Sequence, residues 1–178
     1  MKRLAMDLQT FAGGRAAGEK IERKYLAHFI DASFGAASAS YQRIGKDLEE
    51  YSIELNPDIE TKKNILGETS NTVKGYEPQS EVDTFYCLED DPMFTKLYAI
   101  VNERSTGSQL YTTVVDVLID SDGSVVDAYR EDVVVIPKSI GGDNGGMQIP
   151  YSIKYNGNRV SGTWDNSAKT FTVAGAGA

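Results

Sequence analysis

Between Met147 and Tyr155 the residues alternate without a break, with Met147, Ile149, Tyr151, Ile153 and Tyr155 on one parity and Gln148, Pro150, Ser152 and Lys154 on the other. A period of two belongs to a strand with one buried and one wet face, and a helix cannot bury it. A second run, Tyr51, Ile53 and Leu55 against Glu50, Ser52 and Glu54, repeats the pattern with an acidic wet face. The chain is therefore constrained to build sheet.

Punctuation divides the rest into short strands. Residues 25 to 32 read as a strand before a small-residue loop, and 41 to 44 with 48 to 55 read as a hairpin around Gly45-Lys46-Asp47, ended by Asn56-Pro57. Residues 57 to 80 are polar, broken by Pro57, Gly67, Gly75 and Pro78, and read as a long loop. A strand over 82 to 88 leads to the clearest helical signal: Asp91 caps, Pro92 fills the first turn, and Phe94, Leu97, Tyr98 and Val101 make an apolar stripe up to about Arg104. Strands are expected over 110 to 119, 125 to 136, 147 to 155, 159 to 164 and 169 to 173. Asn156-Gly157 predicts a tight hairpin. The fold expectation is mainly β: a β-sandwich or partly open barrel of eight or nine strands with one flanking α-helix. At 178 residues this is one domain, spanning 25 to 173, with an N-terminal arm over 1 to 24 and a small-residue tail over 174 to 178.

Charge separates the arm from the body. The formal net charge is -8, yet residues 1 to 24 carry Lys2, Arg3, Arg15, Lys20, Arg23 and Lys24 against Asp7, Glu19 and Glu22. A basic arm precedes an acidic body, which does not suit a nucleic-acid grip built on counterion release.

Catalytic and metal readings find little footing. Cys87 and His28 each sit in strand-like runs, and one of each leaves structural zinc two ligands short. Asp120-Ser121-Asp122-Gly123 opens like a calcium loop, but its glycine comes too early and position 129 is Tyr129. Glu89-Asp90-Asp91 is explained by helix capping. Gly141 to Gly146 lacks the Lys-Ser/Thr ending and the helix that a phosphate cradle needs. No enzyme activity, cofactor or metal is expected. No apolar run approaches the roughly 20 residues that span a bilayer, and Asp7 and Gln9 interrupt the opening too early for a signal peptide. The expectation is a chain folded in a reducing cytoplasm.

Several stretches, in order along the chain, resemble the major tail protein, or tail tube protein, of long-tailed phages infecting Gram-positive bacteria. They are Tyr25 to Asp31, Arg43 to Leu48 running into Ile53 to Pro57, Lys63 to Glu68, Gly75 to Pro78, Asp90 to Pro92, Gly141 to Asp143, Ile149 to Tyr151 and Tyr155 to Gly157. Met6 to Gly13 is similar to the start of structural proteins in such phages. The resemblance implies a virion protein, assembled in the host cytoplasm, in which six copies form a ring. Rings stack into a hollow tube around a tape measure protein and end at terminator and baseplate or distal tail proteins, and DNA passes through the lumen without specific binding.

On that reading Glu50, Ser52, Glu54, Gln148, Ser152 and Lys154 are candidates to face the lumen, with the outer surface as the alternative. The arm and the 57 to 80 loop are candidates for inter-subunit contact through Lys2, Arg3, Arg15, Lys20, Arg23, Lys24, Lys62, Lys63 and Lys74. Two other readings are a tube subunit of a contractile tail or phage-tail-like bacteriocin, and a carbohydrate-binding β-sandwich, for which the single Trp164 is a poor start.

Overall fold

The computed structural model describes residues 18–175. Its strands in chain order are β1 (Leu26–Asp31), β2 (Tyr41–Ile44), β3 (Ile53–Glu54), β4 (Pro57–Lys63), β5 (Thr69–Tyr76), β6 (Gln79–Val82), β7 (Tyr111–Ile119), β8 (Val125–Pro137), β9 (Gly141–Asp143), β10 (Gly146–Gln148), β11 (Tyr151–Tyr155), β12 (Val160–Asp165) and β13 (Thr170–Val173). One α-helix, α1 (Pro92–Glu103), is present among the described residues. The fold is mainly β, a curled half-barrel with a flanking helix, as expected.

Nine strands form the main sheet, in the order β2-β1-β7-β8-β11-β6-β3, with β12 also on β8 and β13 on β12. Its centre is the long β7–β8 hairpin, paired from Tyr111↔Val134 to Ile119↔Val125 with a register shift at Leu118/Ile119. Alternation then decides what each face buries. On one face Ile30, Val114, Val133, Val135, Ile153, Tyr151 and Val82 meet Met93 and Leu97 of α1. On the other, Ala27, Phe29, Tyr41, Val115, Val117 and Ala128 meet Trp164. The Trp164 ring lies 4.5 Å from Phe29 and 5.4 Å, edge-on, from Tyr41, distances at which aromatic pairs attract beyond simple burial.

The helix begins where the capping residues require. Asp91 accepts from the Met93 amide at 2.8 Å, Pro92 occupies the first turn, and Arg104 closes the helix in the left-handed conformation. Met93, Leu97 and Ile100 form its buried side. Tyr98, expected on the stripe, stays 44% exposed and stacks beside Phe94.

Five expectations are corrected. The strand expected over 82 to 88 ends at Val82 in β6, leaving a single bridge at Tyr86↔Gln148. The strand expected over 147 to 155 breaks at Ile149-Pro150 into β10, which pairs with β9 in a separate sheet, and β11. Residues 41 to 55 do not fold back on themselves: β2 pairs with β1, and the second half contributes only β3, which pairs with β6 across the sheet. Residues 57 to 76 are no irregular loop but the antiparallel hairpin β4–β5, in register from Pro57↔Tyr76 to Lys63↔Thr69 with a shift at Asp58/Ile59. Asn156-Gly157 does not join two paired strands. β11 and β12 both run along the same edge of β8, at Tyr155↔Val133 and Val160↔Arg130, so the dipeptide interrupts one strand line. Gly157 takes φ 75° there, its amide donates to Glu131, and Asn158 accepts the Asp132 amide. Beyond the break β11 keeps β6 as its second neighbour and β12 takes β13. Gly162 is required in β12, because a Cβ would meet the Phe171 ring and the Thr172 carbonyl at 2.3 Å.

Candidate assembly surfaces

Three features stand out once the cores are assigned: a wet sheet face, a projecting hairpin and a buried ion network. The face lies on the β8–β11–β6–β3 half of the sheet, opposite α1. Register places Val134, Lys154, Gln79 and Glu54 in one cross-strand row, and Ile136, Ser152 and Glu81 in the next, with Ser52 just before β3. Glu54 accepts from the Gln79 side chain at 3.2 Å, and Lys154 donates to the same Gln79. The Glu81 carboxylate pairs with Lys138, which also reaches Asp83 at 3.5 Å. Glu54 and Lys154 are exposed and Ile136 is 40% exposed.

Of the six residues singled out in the sequence for a wet face, Ser52, Glu54, Ser152 and Lys154 thus fall on one side of the sheet. Ser152 is itself only 8% exposed, between its register neighbours Glu81 and Ile136. Glu50 is exposed but precedes the strand, and Gln148 is half-buried in β10, bonded to Asp143 at 3.3 Å.

The hairpin is ordered but buries almost nothing. Ile59, Val73 and Tyr76 are 53%, 49% and 59% exposed, and at the tip Ile65 is fully exposed and Leu66 78% exposed. Its turn is nevertheless tightly specified. Asn64 Oδ1 accepts the amides of Leu66 and Glu68, each at 2.9 Å, its side-chain amide donates to Glu68, and Gly67 takes φ 83°.

The basic residues assigned to contacts are distributed unevenly. Lys2, Arg3 and Arg15 lie outside the described residues. Lys20 is exposed, whereas Arg23 is tied to the body, donating to the carbonyls of Leu26 and Tyr51. Lys24 pairs with Glu22 at 2.8 Å, which raises its pKa, and lies 5.0 Å from the Tyr25 ring centre. Lys62 and Lys74 flank Glu60, each at 3.2 Å, and Lys63 makes no ion pair among the described residues.

The ion network was not visible in the sequence. His28 Nδ1 lies 2.7 Å from Asp116, whose other oxygen accepts from Arg159 at 2.6 Å, and Arg159 also approaches Glu131 at 3.6 Å. His28, Asp116 and Glu131 are buried, and the Arg159 side chain is 41% exposed. Adjacent to it, Tyr51 and Ser80 share a 2.8 Å bond, with the Tyr155 hydroxyl 3.4 Å from each. Burial pushes the pKa of Tyr51 up, and those of Tyr151 and Tyr155 further. The ion network's His28, Asp116, Glu131 and Arg159 lie far apart in sequence, and no local motif links them.

Cys87 is half-buried, and burial pushes its thiol pKa up, which disfavours the reactive thiolate. Asp120 to Gly123 forms a hairpin turn in which Asp122 accepts the Ser124 amide and hydroxyl, bonds that hold its carboxyl below the usual range. No group of three His, Cys, Asp or Glu side chains is placed to hold a metal among the described residues.

No protein-family model and no curated protein matches the sequence. Among solved structures, the sheath/tube terminator of an extracellular contractile injection system (PVC), in its extended state, matches 83% of this chain and 100% of its own, with a TM-score of 0.52 and 9% identity. The tube-terminating cap of the anti-feeding prophage matches 83% and 93%, with a TM-score of 0.48 and 11% identity. A chain of the six-fold symmetrised baseplate of that prophage matches 78% and 92%, at 0.42 and 11%. The first likeness shows a common fold.

Proposed function

We propose that this chain is a structural subunit of a phage tail or tail-like particle, and more closely the major tube subunit, whose copies close into rings that stack into a hollow tube. The observation that carries the reading is the β4–β5 hairpin, a hydrogen-bonded ladder that leaves nearly every side chain in solvent. Two strands alone are marginal in water, so a well-formed arm with an aliphatic tip is best explained by a neighbour that covers it. The common fold with a tube terminator and the ordered resemblance to tail tube proteins support the same class.

In the assembled tube the wet face carrying Ser52, Glu54, Ser152 and Lys154 is assigned to the lumen. Its charges alternate in sign and offer no basic excess, so a phosphate backbone slides past it. The arm of residues 1 to 24 and the hairpin are assigned to neighbouring subunits, the tape measure protein to the lumen before ejection, and terminator and baseplate proteins to the tube ends. Free sheet edges favour such assembly, since a heterologous contact repeated around a ring leaves no edge unpaired.

A second reading is a tube terminator, favoured by the fold likeness to one. Negative-stain microscopy of the purified chain tests both. Tubes that lengthen with concentration support the major tube subunit, discrete single rings support the terminator, and a persistent monomer at high concentration overturns both.

A further inference from the structure

The hairpin tip and a cleft elsewhere on the body complement one another. Ile65 and Leu66 cap an arm of seven paired residues, which at about 3.3 Å per residue carries them roughly 20 Å from the sheet. Neither side chain finds cover in its own subunit. Their turn is nonetheless fixed by the Asn64 bonds, so the pair is presented without further loss of backbone freedom.

The body has a cleft of about 240 Å³ between the turn after β2 and the N-terminal end of α1. Its apolar lining includes Ile44, Leu48, Phe85, Leu88 and Met93, and Leu88 is 45% exposed. The lining also carries both signs, with Arg43, Lys46, Asp47 and Asp91, the last ending the acidic run Glu89-Asp90-Asp91. Lys46, Asp47, Glu89 and Asp90 make no ion pair among the described residues, and neither does Lys63 beside the tip.

We propose that the Ile65–Leu66 tip of one copy docks into the cleft between residues 44–48 and 85–93 of another copy. The two aliphatic side chains enter the apolar lining, Lys63 faces Asp47 and the acidic run before α1, and Glu68 faces Lys46. The contact is heterologous, because tip and cleft lie on different parts of the chain, and it therefore propagates from copy to copy. It rests on the tube-subunit reading and adds the acceptor to it.

The test compares the full chain with two sets of variants. Ile65→Asp with Leu66→Asp alters only exposed side chains, so the monomer folds while polymerisation is lost, or needs at least about tenfold more protein, as expected when two apolar side chains lose their cover. Leu66→Cys with Leu48→Cys, in a Cys87→Ser background, gives a ladder of disulfide-linked oligomers under mild oxidation. Tubes unaffected by the aspartates, or cysteine-variant tubes without a ladder, overturn the docking while leaving the tube reading intact. A wild-type chain that stays monomeric overturns both.

Discussion

β7 and the β4–β5 hairpin are both regular antiparallel structure, yet they differ in what holds them. In β7, Val114, Val115 and Val117 are at most 1% exposed, the first facing the α1 side and the other two facing Trp164. In the hairpin, Val73 is 49% exposed, and cross-strand bonds such as Thr61 to Asn71 at 2.9 Å lie open to water. The same residue type in the same backbone conformation is thus core in one place and surface in the other. Buried apolar area stabilises the first region within a single chain, whereas the second has only its ladder. On the proposed reading, the subunit is stable before assembly through its core and carries in the hairpin an element that assembly completes.

The largest effect is expected where the two-sided sheet also buries charge. Arg159 is the cation shared by Asp116 and Glu131, whose side chains are 7% and 6% exposed. Arg159→Ala leaves two buried carboxylates without their shared cation. Breaking a fully buried pair costs about 3 kcal/mol or more, and solvent at the 41% exposed Arg159 side chain lowers this to about 1–2 kcal/mol. Urea denaturation of the monomer reads this directly, with Arg159→Lys as the control that keeps the charge. A loss under about 0.5 kcal/mol, the range of ordinary surface changes, would mean that the break between β11 and β12 is held by Gly157 and Asn158 alone.

The contrast also explains which parts of the fold could be read from the sequence. Where burial imposes a period, reading succeeds: the alternation from Tyr151 to Tyr155 is β11, although Ile149-Pro150 breaks the expected strand and leaves β10 to a separate sheet, and Asp91-Pro92 opens α1. Where nothing is buried, no period exists, and residues 57 to 76 passed for a loop although they pair throughout. Asn156-Gly157 misled for another reason. Its left-handed glycine fits a strand break as well as a hairpin turn, and the partner is fixed by β8, through the pairs Tyr155↔Val133 and Val160↔Arg130 far back in the chain. For the candidate surfaces, alternation placed Ser52, Glu54, Ser152 and Lys154 on one side, while the ion network depended on tertiary register that local sequence does not encode.

An intermediate effect is expected at high pH, again confined to the core. Burial raises the pKa values of Tyr51, Tyr151 and Tyr155, so the folded chain keeps protons that the unfolded chain releases near pH 10. Below that pH both states hold them and stability is unaffected. Above it the unfolded state binds fewer protons, and stability falls by up to ~1.4 kcal/mol per pH unit for each such tyrosine. Denaturant midpoints measured from pH 8 to 11 should be flat and then decline, and Tyr155→Phe should make the decline shallower. An unchanged slope in that variant would remove Tyr155 from the set.

The smallest effect on global stability, and the sharpest contrast, belongs to the hairpin. Elements with little buried area open locally at a free energy far below that of global unfolding. In the monomer, amides paired between β4 and β5 should therefore exchange with solvent hydrogen much faster than those between β7 and β8, although both ladders are continuous apart from one register shift each. Assembly should narrow the gap selectively: hairpin amides gain protection, most strongly near Asn64 to Glu68, while β7 and β8 change little. Exchange measured by mass spectrometry on monomer and polymer separates the alternatives. Equal protection of the two ladders in the monomer would mean that the hairpin is stable by itself, and the need for a covering neighbour would lose its physical ground.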